Sequence, residues 1–270
     1  MYHHTCSTMH IVRKSVFFLL TILLILPHAV SAQVNTEKLR RSDSTTGFFF
    51  QAGTSLGLVR GNSEYVSADV DARIDFTREG NDNFLVGNYR FKESNKGKIA
   101  NKGFLHARSM WETSETLTLE GFFQVEFNEF LSLNNRNLLG GGVRLHAVDL
   151  RGDDGKAIFD IFLGIGGMYE HELYVVAAAN IRRDGFRSTN YVTLTWQPRD
   201  GTALSVITYL QPSLEDVDDL RSTTDAALEF KILEHLFFNV QLSYRYHSRP
   251  MTRIKQYDLE LSNGLRISLP

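Results

Sequence analysis

The chain has 270 residues, of which 43% are hydrophobic and 22% are charged, and its formal net charge at pH 7 is −2. This balance argues against a basic nucleic-acid-binding protein. The only cysteine is Cys6, so a chain that loses its first 32 residues holds no disulfide, no thiol nucleophile and no thiolate metal site.

The N-terminal 32 residues differ from the rest of the chain because they contain no acidic residue and carry its one long apolar run. Two basic residues precede this run at 16–26, a proline follows it, and small residues lead to Ala32. This order is typical of a secretory signal peptide cleaved after Ala32. A membrane anchor is the alternative, but the run is shorter than the roughly 20 residues that a spanning helix needs. We predict a signal peptide over 1–32 and a short periplasmic segment over 33–45.

The rest of the chain shows hydrophobic alternation with period two. In 65–77, apolar residues such as Val66 and Val70 alternate with polar residues such as Asp69 and Asp71. Such a segment forms a strand with one apolar and one charged face. Runs of this kind predict twelve strands, at 48–60, 64–77, 83–93, 99–111, 116–130, 136–148, 156–169, 187–197, 202–211, 221–232, 236–247 and 257–268.

The predicted strands and connections fit a membrane barrel. Eleven residues at roughly 3.3 Å each, tilted by about 40°, rise about 28 Å, which is close to the apolar band of outer-membrane barrels. Long connections, predicted at 170–186, 212–220 and 248–256, alternate with short turns. Aromatic residues near strand ends, such as Trp111 and Trp196, match the girdles at membrane interfaces.

We therefore predict an all-β fold, a closed antiparallel transmembrane β-barrel of about twelve strands over 46–270. The protein would be exported through its signal peptide to the outer membrane of a Gram-negative bacterium. A secreted β-sandwich is the alternative, because alternation alone does not say whether the apolar face meets lipid or a soluble core.

Three motifs resemble those of a known family. They are Lys102-Gly103-Phe104-Leu105-His106-Ala107-Arg108, Leu119-Glu120-Gly121-Phe122-Phe123-Gln124-Val125-Glu126-Phe127-Asn128 and Arg136-Asn137-Leu138-Leu139-Gly140-Gly141-Gly142-Val143-Arg144. Their order and spacing are similar to those of the domain of unknown function, family 481, some of whose members are named salt-induced outer membrane proteins. The resemblance covers most of 46–268, and it implies an outer-membrane β-barrel without a settled activity.

The charged face of each strand is predicted to point into the lumen. Hairpin register predicts a lumen network made of Arg108, Glu120, Arg144 and His146, with Glu126 and Asn128 nearby. The other predicted lumen charges are Asp69, Asp71, Arg73, Asp75, Arg90, Asp225, Glu229, Arg245, Glu260 and Arg266. Acids and bases are nearly balanced, which is typical neither of an anion pore nor of a cation pore. The network would either brace and plug the barrel, or form a constriction that binds or passes a small polar solute.

No catalytic or metal site is predicted. A lipase or deacylase needs a serine, a histidine and a carboxylate within hydrogen-bond reach, but Ser243 and His247 stand about 13 Å apart on one strand face. His171 lies between two glutamates in a predicted solvated loop, and one histidine with two adjacent carboxylates is not a ligand spacing. Gly140 and Gly142 have inward parity, so we expect them to let a large side chain opposite fold across the lumen.

The expected function is therefore a narrow pore for small polar solutes, or a structural, stress-related envelope barrel, without enzyme activity or a cofactor. The alternative is a membrane-embedded lipid-modifying enzyme, a lipase or deacylase acting at the outer leaflet. The expected partners are outer-membrane lipid, the barrel-assembly machinery during biogenesis and small polar solutes, but not nucleic acid.

Overall fold

The computed structural model describes residues 46–61, 64–177, 179–251 and 255–267. The predicted signal peptide and the segment 33–45 lie outside these residues. Twelve strands form one antiparallel sheet in chain order. Their bounds are Gly47–Val59 (β1), Tyr65–Arg78 (β2), Asn81–Ser94 (β3), Gly97–Glu112 (β4), Leu117–Asn128 (β5), Leu133–Arg151 (β6), Ala157–Val176 (β7), Ala179–Arg199 (β8), Thr202–Pro212 (β9), Leu220–Leu233 (β10), Leu236–His247 (β11) and Tyr257–Ile267 (β12). The prediction of an all-β fold with twelve antiparallel strands is confirmed. Within the described ranges, no helix has the length and hydropathy needed to cross a membrane.

The two faces of the sheet are inverted relative to a soluble protein. On β5, Glu120, Gln124 and Glu126 are buried, whereas Leu119 and Phe123 are exposed. Because successive side chains of a strand point to opposite faces, the polar parity lies on the inner face of the sheet and the apolar parity on the outer face. The alternation in the sequence therefore identifies the two faces, and the structure shows that the polar face is the inner one.

The sheet curls so that distant strands meet across its concave face. The Tyr191 hydroxyl on β8 donates a hydrogen bond to Glu120 Oε2 on β5 over 2.9 Å. Arg108 on β4 donates to the Tyr209 hydroxyl on β9 over 3.4 Å. The backbone ladder runs from β1 to β12, but no pairing joins these two end strands in the part of the chain that the structure describes. The sheet is thus strongly curled and its two edges are not joined, unlike the predicted closed barrel.

The connection between β7 and β8 is much shorter than predicted. The sequence predicted a loop over 170–186, but β7 continues to Val176 and β8 begins at Ala179. Backbone pairing is continuous in this hairpin, from Phe159 opposite Trp196 to Val176 opposite Ala179. The predicted solvated loop is wrong because both faces of this stretch carry charged residues, which hides the apolar alternation of a strand.

Candidate functional site

The largest group of buried charges lies on the concave face near the β7–β8 hairpin. We call it the Arg–Glu network, and its members are Glu126 (β5), Arg136 (β6), Glu170 and Glu172 (β7), Arg187 (β8), Asp219 (the β9–β10 connection) and Arg221 (β10). Each of these residues is less than 10% exposed. The curvature of the sheet brings together charges from six separate parts of the chain.

Arg136 lies at the centre of the Arg–Glu network. Its Nη1 donates to Glu126 Oε1 over 2.8 Å, and its Nε donates to Glu170 Oε1 over 2.6 Å. Arg221 Nη2 donates hydrogen bonds to both carboxylate oxygens of Glu172, at 2.9 and 3.0 Å, and Arg221 Nη1 donates to Glu170. Arg187 Nε donates to the other oxygen of Glu170 over 2.6 Å. Three guanidinium groups therefore converge on Glu170, which compensates for the cost of burying its charge.

Asp219 ties the β9–β10 connection to the Arg–Glu network. Its side chain is fully buried, and it accepts a hydrogen bond from Arg187 Nη2 over 2.5 Å and another from Arg183. The Asp219 carbonyl oxygen accepts a second bond from Arg187, at 2.9 Å. His247 on β11 lies 3.4 Å from the same carboxylate. Because one arginine holds both the side chain and the backbone of Asp219, this connection folds inward over the concave face.

A second group of contacts crosses the middle of the concave face, and we call it the central bridge. It consists of Arg108, Glu120, Tyr191 and Tyr209. Arg108 Nη1 lies 3.6 Å from Glu120 Oε2, and the rings of Tyr191 and Tyr209 are 5.0 Å apart. The bridge therefore links β4 and β5 to β8 and β9, and it fills the space between them.

Glycines make room for the aromatic rings beside the central bridge. A Cβ atom at Gly164 would overlap the Tyr191 ring, and a Cβ atom at Gly140 would overlap the Phe122 ring. The prediction that an inward glycine lets a large side chain lie across the inner face is confirmed at Gly140. At Gly142, the nearest atoms are backbone atoms of β7, so that glycine instead allows a close approach of two strands.

The six residues of the predicted lumen network lie on the concave face but do not form one cluster. Arg108 and Glu120 meet in the central bridge, whereas Glu126 belongs to the Arg–Glu network. Asn128 lies on the same strand face as Glu126 and is buried at the end of β5. Arg144 lies with its guanidinium carbon 3.9 Å from the centroid of the Phe162 ring.

His146 is the clearest departure from the predicted lumen network. It lies opposite Phe162 on β7, stacks on that ring at 4.1 Å, and places its Nε2 atom 3.0 Å from Asp160. Hairpin register predicted either Arg144 or His146 near Glu120, but the residue directly opposite Glu120 on β6 is Gly142. Glu120 can then extend across the interior toward Tyr191.

Most of the other predicted lumen charges form ion pairs. The pairs are Arg73 with Asp75 at 2.5 Å, Arg90 with Asp69 at 2.5 Å, Arg245 with Asp225 at 2.9 Å and Arg266 with Glu229 at 2.8 Å. Asp71 faces Gly53 on β1, and Glu260 on β12 interacts electrostatically with Lys102 on β4. The near balance of charges in the sequence is therefore matched by local pairing on the inner face.

Sequence reasoning missed most of the Arg–Glu network. Glu170 and Glu172 were predicted in a solvated loop, yet their exposed fractions are 4% and 1%. The signal that could have found them is the two-residue spacing, because both lie an even number of residues after Asp160 and so continue the inward face of β7. Nothing in the sequence indicates that Arg187 and Arg221, from two later strands, meet them there.

The comparisons with known proteins identify a family and no closer relative. The search of curated proteins and the search of solved structures each gave no significant match. A family model described as "Protein of unknown function, DUF481" matches residues 52–268, which include almost all of the twelve strands. The chain therefore belongs to the DUF481 family.

Proposed function

We propose that this chain is an outer-membrane β-barrel protein, closed by pairing of β1 with β12. The support is the inverted distribution of side chains, since the convex face exposes large apolar residues such as Leu139, Ile165 and Phe186 while charges are buried on the concave face. In water such a surface would promote aggregation, whereas a bilayer accommodates it. A β-sandwich would need a second sheet on this apolar face, and the described strands form a single sheet.

We further propose that a narrow path for small polar solutes follows the β1, β2 and β12 side of the barrel. The central bridge leaves a cavity of only about 40 Å³ between β4 and β9, which has room for a few water molecules. The inner parity of β1, β2 and β12 instead includes small residues. They are Gly53, Ser55, Gly57, Ser67, Ser262 and Gly264. The interior is filled by side chains beside β4–β9 and has small side chains beside β1, β2 and β12, and this contrast is the observation that carries the proposal.

Charges along this path are mixed, which favours small polar or zwitterionic solutes over strongly charged ones. Asp69 is paired with Arg90, and Lys102 interacts with Glu260 and Asp258. A row of alternating charges gives no excess of one sign to select ions.

Cysteine labelling tests the orientation of the two faces. The only natural cysteine, Cys6, lies in the predicted signal peptide, so single cysteines can be placed on an otherwise thiol-free mature chain. In intact outer membranes, a membrane-impermeant thiol reagent should label Ser55→Cys and Ser67→Cys on the inner face. It should not label Leu56→Cys or Val70→Cys, whose side chains point to the convex face. The reverse pattern would contradict the barrel.

Conductance tests the path itself. Protein purified from membranes and inserted into a planar bilayer should give discrete current steps. Modification of Ser55→Cys by a charged thiol reagent should reduce them, and the same treatment of Leu56→Cys should not. A folded barrel that gives no steps would contradict the pore and favour a structural, stress-related envelope barrel. The central bridge is the observation that supports this second candidate, because it braces opposite walls.

The lipid-modifying alternative has no supporting contact in the described residues. The chain has five histidines after residue 32. The hydrogen-bond or ion-pair partners that the structure gives are Gln124 for His106, Asp160 for His146, Asp184 for His171, and Asp219 and Arg221 for His247. Acyl transfer would begin from a serine hydroxyl beside a histidine nitrogen, and none of these partners is a serine.

A further inference from the structure

A β-bulge near the end of β6 brings three metal-ligating side chains together. His146 pairs with Phe162 and Val148 pairs with Ile161, so Ala147 is an extra residue without a partner on β7. A bulge of this kind shifts the side-chain alternation by one position. It places Asp149 on the same face as His146, directly opposite Asp160. Without the bulge, Asp149 would point to the convex face.

The donor atoms of these three residues surround one point. One atom from each of His146, Asp149 and Asp160 lies within 4.8 Å of the other two. His146 Nε2 is 3.0 Å from Asp160 Oδ1, and stacking of the imidazole on Phe162 at 4.1 Å fixes the plane of the ring. Metal–ligand bonds of about 2.0–2.2 Å would place all three atoms around a common ion after small side-chain rotations.

Two carboxylates lie side by side at this point. Asp149 and Asp160 are direct cross-strand neighbours, and like charges in that position destabilise a sheet. Arg151 lies 3.0 Å from Asp149 and offsets one of the two charges, but its side chain is 54% exposed and can move away. The side chain nearest to Asp160 is the imidazole of His146, at 3.0 Å, and this ring is itself a metal-ligating group. A divalent cation between the carboxylates would remove the repulsion.

We propose that His146, Asp149 and Asp160 form a binding site for a divalent first-row transition-metal ion such as Zn²⁺. An imidazole with two carboxylates favours such ions over Mg²⁺ and Ca²⁺, which prefer sites made only of oxygen atoms. Three protein ligands leave at least one coordination position for water or a solute, and the site faces the concave interior. Metal binding displaces Arg151 from Asp149. The site does not depend on the proposed pore, because it is local to one hairpin.

A second histidine–aspartate pair provides a matched control. His171 Nδ1 lies 2.5 Å from Asp184 Oδ1 on the convex face of β7 and β8. Arg182 Nε and the Tyr169 hydroxyl also donate to Asp184, at 2.6 and 3.1 Å. No second carboxylate joins this pair to make a metal-ligand group in the described residues. His171→Ala therefore removes a histidine with a similar aspartate contact but no predicted metal site.

Calorimetric titration of the tag-free protein in detergent with ZnCl₂ tests the proposal, with MgCl₂ as the comparison ion. We expect one Zn²⁺ per chain, bound at least about tenfold more tightly than Mg²⁺. His146→Ala and Asp160→Asn should each weaken Zn²⁺ binding by about tenfold or more, and His171→Ala should leave it unchanged. Equal binding of the two ions, or unchanged Zn²⁺ binding in His146→Ala, would overturn the proposal.

Arg151→Gln sharpens the test without removing a ligand. It removes the competitor for Asp149, so Zn²⁺ should bind more tightly than to the wild-type protein. Asp149→Asn, at the exposed side of the site, should weaken binding even if Asp160→Asn fails to fold. Weaker or unchanged Zn²⁺ binding in Arg151→Gln would contradict the displacement of Arg151 by the metal, and unchanged binding in Asp149→Asn would show that Asp149 is not a ligand.

Discussion

The interior faces of β4–β10 and of β1–β3 carry similar charged residues but use them differently. In β4–β10, Arg136, Arg187 and Arg221 are buried and each contacts more than one acidic residue. In β1–β3, Arg90 and Asp69 form a simple pair, and their side chains are 52% and 38% exposed. The same ion-pair chemistry therefore braces one wall and lines a more open wall on the other side.

This difference shows why burial decides what an ion pair does. A buried charge has lost its hydration, so removing its partner leaves a large uncompensated cost. An exposed pair gains little from its contact because water solvates both charges. The Arg–Glu network should therefore depend on complete pairing, whereas the exposed Arg90–Asp69 pair should tolerate substitution.

The largest expected effect is that of Arg136→Ala. This substitution leaves Glu126 and Glu170 buried without one of their cations, and breaking a buried pair costs about 3–5 kcal/mol. Arg90→Ala is the matched control, and it should cost less than about 1 kcal/mol. The free energy of unfolding in urea, followed by gel mobility, measures both. Similar losses in the two variants would remove the distinction between the walls.

Glu120→Ala should have the next largest effect. It removes the acceptor of the Tyr191 hydroxyl and the carboxylate beside Arg108, and the loss of a hydrogen bond to a charged group costs about 1.5–3 kcal/mol. If the central bridge obstructs the interior, the single-channel conductance should also rise. Unchanged conductance together with unchanged stability would contradict the role of Glu120 in the bridge. Tyr191→Phe removes only the hydroxyl and should reproduce part of the loss.

Gly164→Ala should destabilise the filled wall through packing rather than charge. The added Cβ overlaps the Tyr191 ring, and overpacking of this kind costs about 1–3 kcal/mol. Gly264→Ala on β12 is the control, because its Cβ would meet only the flexible end of Asn239. Thermal unfolding of the two variants measures the difference. A larger loss for the control would show that the β12 wall is the more tightly packed one.

The smallest effect is expected at Glu129, in the turn after β5. Hydrogen bonds from Asn101 and Lys98 hold the pKa of this carboxyl below its ordinary value. Because the folded-state pKa is depressed, the stabilisation is present above the pKa of the unfolded chain and is lost as the pH falls through the folded-state pKa. The stability difference between the wild type and Glu129→Gln should therefore be small at pH 7 and vanish in acid. Thermal unfolding across this pH range measures it, and a difference that grows in acid would contradict the assignment.

Alternation predicted much of the fold because it is a local property of each strand. The segments at 65–77 and 236–247 have one apolar and one polar face, and the structure places strands there within one residue of the predicted bounds. The hairpin of β7 and β8 was missed because His171 and Asp184 on the convex face are polar, as are Glu170 and Glu172 on the concave face. In a single sequence, a strand that carries charges on both faces lacks the apolar alternation that would distinguish it from a loop.

The sequence by itself determined the number of strands and, for most of them, which residues share the apolar face and which share the polar face. These follow from the two-residue period of an extended chain and from the family motifs of 102–144. Only the tertiary structure decided which charges meet. The partners of Glu170 come from β6, β8 and β10, and Glu120 reaches Tyr191 from 71 residues away. Such contacts depend on the curvature of the whole sheet and on bulges such as that at Ala147, and neither has a local signature in the sequence.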